Sequence, residues 1–354
     1  MSEKQFPFDE IEFYYEKFPK YADTLIPSHR EKQELLYTNI KIIDNIIDGL
    51  LPTDLLLVGA STGLGKTQLA LNIAKNVAVQ GKQTIMFSLE SYNGEIQDRH
   101  IFSEISKSWY AITNKYLSFK KWATGHADEN IYKMEEEVLK NMPEALKENL
   151  RIRYRNTSTY SANKLCEELK ILSKNQKIKL LVIDHLHYFT IEDKDTENIG
   201  LKKIMFAVRD IGQKLKIPII LIAHLRKKDI KSKVLVPDEN EFHGSSEIVK
   251  NATSVITIAP ADLQTEKNYI VPTYFRFPKL RFDEGGKKRY LYCVPFNLRS
   301  GEYDDTYRVF APKNYWTAYD EVVDNNLPSW ATHAKKIGEY ESKFRSCENL
   351  LSKP

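Results

Sequence analysis

The stretch LLLVGASTGLGKTQLALNIAK, residues 55–75, decides the fold. An apolar run leads into a loop that contains two glycines, and a helix-forming segment follows this loop. The order matches the phosphate-binding pattern G-x-x-x-x-G-K-[ST], except that Ala60 stands where the pattern has its first glycine. The stretch therefore predicts a strand, a phosphate-binding loop and a helix. A glycine-rich turn without a ligand is the alternative.

The loop has the residues that a phosphate site needs. Backbone N–H groups can converge on an anion only where Cβ atoms do not interfere, and Gly63 and Gly65 remove that hindrance. Lys66 would reach the β- and γ-phosphates, and the Thr67 hydroxyl would bind Mg²⁺. The helix N-terminus adds about half a positive charge facing the anion. We predict a nucleoside triphosphate with Mg²⁺ as the ligand. The predicted contacts are Ser61, Thr62, Gly63, Leu64, Gly65, Lys66, Thr67 and Gln68.

Short apolar runs alternate with helical patterns along the chain. The runs suit strands that are buried on both faces of a parallel sheet, so the fold class is α/β. The predicted strands are 54–59, 84–89, 179–184, 218–223 and 254–259, and the predicted helices are 67–80, 161–175 and 196–216. Two further strands, 272–280 and 289–296, are expected to form a hairpin at the sheet edge. The segment 91–178 is expected to be helical, without a clear strand.

The composition is that of an ordinary globular protein. Apolar residues make up 42% and charged residues 28% of the 354 residues, which argues against disorder. The formal charge of +4 is too small to identify a partner. Cys166, Cys293 and Cys347 lack metal-ligand spacing and indicate reduced thiols. No signal pattern or membrane-spanning apolar run is found, so a soluble, cytoplasmic protein without membrane contact is expected.

Three polar residues follow or close predicted strands. Asp184 ends KLLVID, Glu90 follows TIMFSL and His224 follows PIILIA. Because the carboxyl ends of parallel strands meet at the edge where ligands bind, we expect all three beside the phosphate loop. Asp184 would hold Mg²⁺ through water, Glu90 would activate the attacking water, and His224 would sense the γ-phosphate. The alternatives are an acid favoured by a helix N-terminus for Glu90 and a structural histidine for His224.

Six motifs occur along the chain in a consistent order. They are A-S-T-G-L-G-K-T, F-S-L-E, V-I-D-H-L, I-A-H-L-R-K, F-H-G-S-S-E-I-V-K-N-A and K-L-R-F-D. This series resembles the DnaB-type hexameric helicases, in particular the branch that contains Twinkle and the phage primase–helicases. The resemblance covers roughly residues 40–300. Alanine is common at the first loop position in this family, so Ala60 fits the resemblance.

The resemblance implies a RecA-like P-loop NTPase core. Such a core assembles into a ring, here expected to be a hexamer, binds ATP between neighbouring subunits and moves along single-stranded DNA. The family's catalytic glutamate is matched by Glu90 and its Walker-B aspartate by Asp184. His224 matches the branch's histidine, where bacterial DnaB proteins have glutamine. Primase, polymerase or loader proteins are the further partners that a replicative role suggests.

The resemblance also assigns three residues near the end of the matched region. Lys279 and Arg281 match a K-x-R pair that reaches the γ-phosphate on the next subunit, and Phe296 matches an aromatic residue that stacks on adenine. An arginine supplied in trans contributes ~10³–10⁵ in rate. From the residues alone, Lys279 and Arg281 are also consistent with cations at an edge strand, which are usually solvated or prevent edge pairing.

A basic loop follows His224. Its sequence, RKKDIKSK, has a single acid, and its cations would follow the phosphate backbone of single-stranded DNA without reading sequence. A solvated loop is the alternative. The predicted DNA-binding residues are Arg226, Lys227, Lys228, Lys231 and Lys233. The motif HGSSEIVKNA, 243–252, is expected to join this loop to the next strand, with Ser245 or Ser246 capping a short helix.

The predicted organisation has three parts. Residues 1–40 form a short helical arm, 41–312 the ATPase core, and 313–354 a helical tail. No primase or zinc-binding domain is expected before the core, so the arm EIEFYYEKFPKYADTL would pack on a neighbouring subunit or on its own core. The leading hypothesis is a ring-forming DNA helicase in replication. The alternatives are a nucleotide-switched loading ATPase without processive unwinding and a RecA-like recombinase or clock-type ATPase.

Overall fold

The fold is described from a computed structural model. It covers residues 33–60, 63, 65–113, 115–155, 157–175, 177–225, 236–242, 246–260, 270–298, 300–313, 318–322, 326–331 and 334. The described residues from Leu36 onwards belong to one unit, which contains all elements named below. The N-terminal arm predicted over 1–40 lies almost entirely outside the described residues.

Up to β6, single helices or groups of helices separate the strands, and strands predominate after β6. The described helices are α1 (Lys41–Ile47), α2 (Lys66–Val79), α3 (Glu95–Thr113), α4 (Phe119–Ala123), α5 (Glu129–Lys140), α6 (Glu144–Asn149), α7 (Ala162–Asn175), α8 (Glu197–Leu215) and α9 (Ser246–Asn251). The described strands are β1 (Leu55–Ala60), β2 (Thr84–Ser88), β3 (Leu150–Tyr154), β4 (Leu180–Asp184), β5 (Ile219–His224), β6 (Ser254–Pro260), β7 (Ile270–Lys279), β8 (Leu291–Asn297), β9 (Glu302–Tyr303), β10 (Arg308–Lys313) and β11 (Ala318–Glu321). All five strands predicted from apolar runs are present.

The described strands form one sheet with two halves. Its order is β11-β10-β8-β7-β6-β1-β5-β4-β2-β3, and β9 pairs with β8. The pairs from β6 to β3 are parallel, and those among β6 to β11 are antiparallel. In the parallel half, β1, β2 and β4 are buried along their whole length, as expected for strands that helices cover on both faces.

Two apolar cores lie on opposite faces of the sheet. Along β1, Leu56 and Val58 belong to the core that contains α1 and α2. Leu55 and Leu57, which alternate with them, belong to the core that contains α7 and α8. Adjacent side chains of a strand point to opposite faces, so one apolar run supplies both cores. Among the helices that the structure describes, none combines the length and apolar character that a bilayer crossing demands.

The hairpin predicted at the sheet edge lies inside the sheet instead. β7 and β8 do pair antiparallel, but β6 flanks β7 and β10 flanks β8. The prediction of an edge position was wrong because no strand was predicted after residue 296. The residues of β10 were assigned mainly to the end of the core, and those of β11 to a helical tail. The described part of 313–354 contains the strand β11 rather than a helix. Residues 335–354 lie outside the described part of the chain.

The segment 91–178, predicted to lack a strand, contains β3. This strand has the sequence LRIRY and pairs in parallel with β2 at the end of the sheet. Arginines alternate with its apolar residues, and none of its residues is fully buried. A strand that is covered on one face shows alternation rather than a continuous apolar run, so the search for buried runs missed it.

Candidate nucleotide-binding and catalytic site

The loop after β1 takes its shape from two glycines. Gly63 and Gly65 have φ angles of +80° and +84°, a left-handed conformation that residues with a Cβ disfavour. Gly65 directly precedes α2, so the first N–H groups of this helix open towards the loop. Ser61, Thr62 and Leu64 lie outside the described residues, and their contacts with nucleotide stay predictions.

Lys66 is buried at the start of α2. Its Nζ donates a hydrogen bond of 2.9 Å to the carbonyl oxygen of Ala60. Burial lowers the pKa of Lys66 to about 8, although the nearby carboxylates of Asp184 and Glu90 raise it. An anion placed beside this amine would favour its charged form. Lys66 is therefore suited to bind a phosphate that brings its own negative charge.

Asp184 ends β4 with a buried carboxylate. The residue is 1% exposed, and neither carboxylate oxygen accepts a hydrogen bond from the residues that the structure describes. Burial raises the pKa of Asp184 to about 6, although the Thr67 hydroxyl and Lys66 lower it. Mg²⁺ typically binds through one or two protein oxygens together with phosphate and water. A buried carboxylate next to a threonine hydroxyl therefore fits this ion.

Glu90 follows β2 and lies beside the end of β4. The strand register pairs Ser88 with Asp184, and the Leu89 N–H donates to the Asp184 carbonyl oxygen at 2.7 Å. The Glu90 side chain is 40% exposed, so water can reach it. Its Oε2 atom lies 3.2 Å from Nε2 of His185, which is 1% exposed. Glu90 is thus held at the site by its backbone while its carboxylate faces solvent.

His224 ends β5 next to the phosphate loop. The register pairs it with Ala60, the last residue of β1. Its ring centroid lies 3.9 Å from that of His185, with the two rings nearly perpendicular. The His224 backbone N–H donates to Nδ1 of His187 at 3.4 Å. The structure therefore brings together the four predicted residues Lys66, Asp184, Glu90 and His224.

Glu90, His185 and His224 also form a set of metal-ligand types. One candidate atom from each lies within 4.8 Å of the other two. However, Nδ1 of His185 accepts a hydrogen bond from the His187 N–H at 3.3 Å. A neutral imidazole with an acceptor Nδ1 carries its hydrogen on Nε2. A metal could bind His185 only if Nδ1 lost its hydrogen bond to the His187 N–H or Nε2 lost its hydrogen. The Nε2 hydrogen therefore favours a contact with the Glu90 carboxylate over a contact with a metal.

Lys279 and Arg281 lie at the opposite edge of the sheet from the phosphate loop, near the amino ends of the parallel strands. Arg281 donates to Oδ1 of the buried Asp54 at 2.8 Å and to the Thr53 hydroxyl at 3.3 Å. The Lys279 amine donates to the carbonyl oxygens of Val249 and Lys250, at 2.9 and 3.1 Å. The sheet brings neither residue to the phosphate loop of its own chain. The interpretation of an edge strand is also wrong, because β7 is flanked on both sides.

The ring of Tyr303 lies between Phe296 and the phosphate loop. Its ring centroid is 4.8 Å from that of Tyr303, and a Cβ on Gly65 would lie 3.9 Å from the Tyr303 hydroxyl. The intervening segment packs on α2, where the Gln68 and Asn72 amides donate to the Gly301 carbonyl oxygen at 3.1 and 2.6 Å. Gln68, a predicted nucleotide contact, is therefore engaged with Gly301 in this structure.

The basic loop is anchored directly beside the phosphate loop. Residues 226–235, which contain all five predicted DNA-binding cations, and 243–245 lie outside the described residues. Leu225, which precedes the first of these segments, forms an antiparallel bridge with Phe242, which precedes the second. Leu225 donates to the Ala60 carbonyl oxygen at 3.3 Å, and a Cβ on Gly59 would lie 2.5 Å from Phe242 Cζ. The base of the loop therefore packs against the strand that carries the nucleotide site.

Three residues that contact predicted site residues were missed from the sequence. His185 directly follows the strand-end Asp184, and that position is the signal that could have identified it. Asp54 precedes β1 and was counted as part of an apolar run. Tyr303 reaches the phosphate loop only through the packing of the β8–β9 segment on α2, for which the sequence has no local signal.

Comparisons with known proteins identify the family of the chain. Residues 36–273 match the family model of the DnaB-like helicase C terminal domain. The Replicative DNA helicase DnaB of Buchnera aphidicola subsp. Baizongia pistaciae is 25% identical over 231 residues, which are 65% of this chain and 47% of the relative. DnaB of Mycoplasma genitalium is 24% identical over 261 residues, covering 70% and 51%. The chain thus spans about half the length of these curated relatives.

Solved structures are similar to the whole core. The ATPase domain of one solved protein superposes with a TM-score of 0.62 and 17% identity, covering 85% of this chain and 99% of that domain. A DnaB-like replicative helicase superposes with a TM-score of 0.58 and 17% identity, covering 85% of this chain and 67% of the other. These likenesses confirm the predicted RecA-like α/β fold.

The family follows from the extent of the match. The family model covers more than half of the chain, including β1 to β6 and the residues around the phosphate loop. The matched region also contains Lys66, Glu90, Asp184 and His224, which the structure brings together at one sheet edge. The chain therefore belongs to the family of the DnaB-like helicase C terminal domain.

Proposed function

We propose that this chain is an ATP-dependent DNA helicase that works as a ring on single-stranded DNA during replication. The convergence of Lys66, Asp184, Glu90 and His224 at one sheet edge carries the proposal, because hydrolysis of a nucleoside triphosphate needs each of their roles. The helicase names of the curated relatives support the same activity. A cytoplasmic place of action, and contacts with primase, polymerase or loader proteins, belong to this proposal.

The site residues divide the work of hydrolysis. Lys66 binds the β- and γ-phosphates, and Glu90 takes a proton from the attacking water. Thr67 and Asp184 would hold Mg²⁺, which when bound neutralises charge on the phosphate oxygens. His224 contacts the γ-phosphate and changes its position when that phosphate leaves. Each of these residues lies at or next to the end of a strand or the start of a helix, which fixes its position at the site.

An arginine at the far end of the sheet supports a ring. Arg281 contacts Asp54 just before β1, whereas the phosphate loop begins just after β1. Six residues of extended chain at about 3.3 Å each put the two ends of β1 roughly 20 Å apart. Arg281 is thus too far from the nucleotide of its own subunit. In a head-to-tail ring, the same residue faces the nucleotide of the next subunit.

The basic loop provides a route from hydrolysis to DNA. The Ala60 carbonyl oxygen accepts hydrogen bonds from both Lys66 and Leu225, and the loop begins immediately after Leu225. When Lys66 turns to a phosphate, one of these two bonds is lost at the base of the loop. Cations of the loop would then change their grip on the DNA backbone as nucleotide binds and leaves.

A strand-displacement assay on forked DNA tests the proposal. We expect the unaltered protein to hydrolyse ATP faster with single-stranded DNA and to separate the duplex. Glu90→Gln should lose hydrolysis by ~10²–10⁴-fold and lose unwinding, but still bind ATP. Glu136→Gln, which changes an exposed glutamate on α5, is the matched control and should keep both activities. Stimulated hydrolysis without unwinding would contradict the helicase proposal and favour a loading ATPase.

A further inference from the structure

His185 is a buried histidine beside the proposed catalytic base. Its side chain is 1% exposed, and Nε2 lies 3.2 Å from Oε2 of Glu90. Burying a polar ring is unfavourable unless its nitrogens find partners. The partners of the two nitrogens therefore indicate what the ring does.

The Nδ1 atom of His185 determines where the ring hydrogen lies. It accepts a hydrogen bond of 3.3 Å from the backbone N–H of His187. An imidazole whose Nδ1 accepts a hydrogen bond is neutral, because the charged ring carries a hydrogen on both nitrogens. A neutral imidazole carries one hydrogen, and an acceptor Nδ1 leaves that hydrogen on Nε2. The N–H side of the ring therefore faces Glu90.

The packing around His185 fixes the plane of its ring. The His224 ring lies 3.9 Å away at 88°, and the Tyr188 ring lies 4.7 Å away at 83°. The backbone bond from Leu89 N–H to the Asp184 carbonyl oxygen joins the residues that precede Glu90 and His185. Both the ring and the backbone next to Glu90 are thus held in place, and the Glu90 carboxylate lies between His185 and the Tyr188 hydroxyl.

We propose that His185 is a positioning residue that directs the Glu90 carboxylate towards the attacking water. In the present orientation Nε2 completes no hydrogen bond with the described residues, so a small turn of the carboxylate must align the contact. Catalytic hydrogen bonds often align in this way only when substrate is bound. A neutral donor also orients the carboxylate without placing a positive charge beside it. The proposal rests on the proposed role of Glu90 as base.

Two substitutions of His185 separate positioning from packing. His185→Leu keeps an apolar side chain of moderate size but removes the donor. His185→Gln keeps an N–H donor close to the position of Nε2. We expect kcat for ATP hydrolysis to fall on the order of 10- to 100-fold in His185→Leu, with KM and the Kd for a non-hydrolysable ATP analogue within about twofold. His185→Gln should recover most of the lost kcat.

The result that overturns the proposal is equally specific. If His185→Leu retains full kcat, or if His185→Gln is as slow as His185→Leu while both bind nucleotide normally, His185 does not position Glu90. Parallel losses of Tm and nucleotide affinity in both variants would show a packing role instead. Adding His185→Leu to Glu90→Gln should cause no further loss. A Glu90→Gln variant as active as the unaltered protein would remove the proposed base itself, which is a separate failure.

Discussion

The two ends of the parallel half of the sheet are built from similar charged residues but leave them in different states. At the carboxyl ends of the strands, the pKa of Lys66 is lowered and that of Asp184 is raised, both because of burial. The Asp184 oxygens accept no hydrogen bond from the described residues. At the amino ends, Arg281 is bonded to Asp54 and Thr53, and Lys279 is bonded to two backbone carbonyl oxygens.

This difference indicates which edge of the sheet requires a ligand. A carboxylate buried deeply enough to raise its pKa destabilises a protein, so the retention of Asp184 at the carboxyl ends of the strands indicates a ligand that supplies favourable interactions. At the other end, the chain satisfies its own charges. If Arg281 acts on a neighbouring nucleotide, it must exchange its bond to Asp54 for one to phosphate. The ion pair with Asp54 would therefore both stabilise the fold and hold the Arg281 guanidinium in position until it binds phosphate.

Changing Arg281 to Ala should have the largest effect. As a finger acting in trans, it would lower kcat for ATP hydrolysis by ~10³–10⁵-fold. Mixing Arg281→Ala subunits with Lys66→Ala subunits should restore part of the activity. Some interfaces in such rings combine an intact phosphate loop with an intact arginine, although neither variant alone has one. Single-turnover ATP hydrolysis in mixed and unmixed samples measures this.

The control for this prediction separates the two roles of Arg281. Asp54→Asn removes the ion pair but leaves the arginine, so hydrolysis should stay within a few-fold of normal. Removing either partner should cost about 1–3 kcal/mol of unfolding free energy. An Arg281→Ala variant that loses stability but hydrolyses ATP at the normal rate would limit Arg281 to a structural role.

The sequence predicted one end of the sheet better than the other. A strand end, the loop after it and the next helix are contiguous in the chain, so Lys66, Asp184, Glu90 and His224 could be placed together from strand order alone. The partners of Arg281 are Thr53 and Asp54, more than two hundred residues away. No local pattern predicts such a contact. The edge position of the β7–β8 hairpin was wrong for a different reason, because the strands that follow it were not recognised in the sequence and β10 pairs with β8.

Side-chain roles were less predictable than strand positions. His185 stands in the motif V-I-D-H-L, but the motif gives it no role, and Tyr303 lies in none of the quoted motifs; each gains its place from packing between elements. The orientation of a buried ring depends on which backbone N–H it meets, as with His185 and the His187 N–H. That information is present in the folded backbone but not in the spacing of residues along the chain.

Changing Asp184 to Asn should stabilise the protein in the absence of nucleotide. Burial raises the pKa of Asp184 from 3.8 to about 6. The folded state therefore binds a proton more tightly than the unfolded state, and Asp184 makes stability fall as pH rises from about 4 to 6. Above pH 6 the buried charge costs up to about 3 kcal/mol. Asp184→Asn should recover part of this at pH 7.5, and the difference should shrink as pH falls towards 4.

Urea unfolding of the nucleotide-free protein at several pH values measures this effect. Asp210→Asn is the matched control, because Asp210 is an exposed acid that pairs with Lys214 on α8 at 2.7 Å. It should change stability by less than about 1 kcal/mol. A loss of stability in Asp184→Asn at pH 7.5 would mean that the carboxylate is satisfied within the protein, and the contrast between the two ends would disappear.

Changing Phe296 to Leu should have the smallest effect, and it tests how far the nucleotide end extends. Loss of ring stacking on adenine costs about 1 kcal/mol, a roughly fivefold weaker Kd for ATP. The Kd for inorganic triphosphate, which has no base, should not change. Tyr303→Phe keeps the ring beside Gly65 and should bind ATP normally, whereas Tyr303→Leu removes the ring. If Tyr303→Leu weakens ATP selectively and Phe296→Leu does not, the base stacks on Tyr303, the ring that lies nearer to the phosphate loop. The family resemblance would then have assigned adenine stacking to Phe296 when the neighbouring ring, Tyr303, performs it.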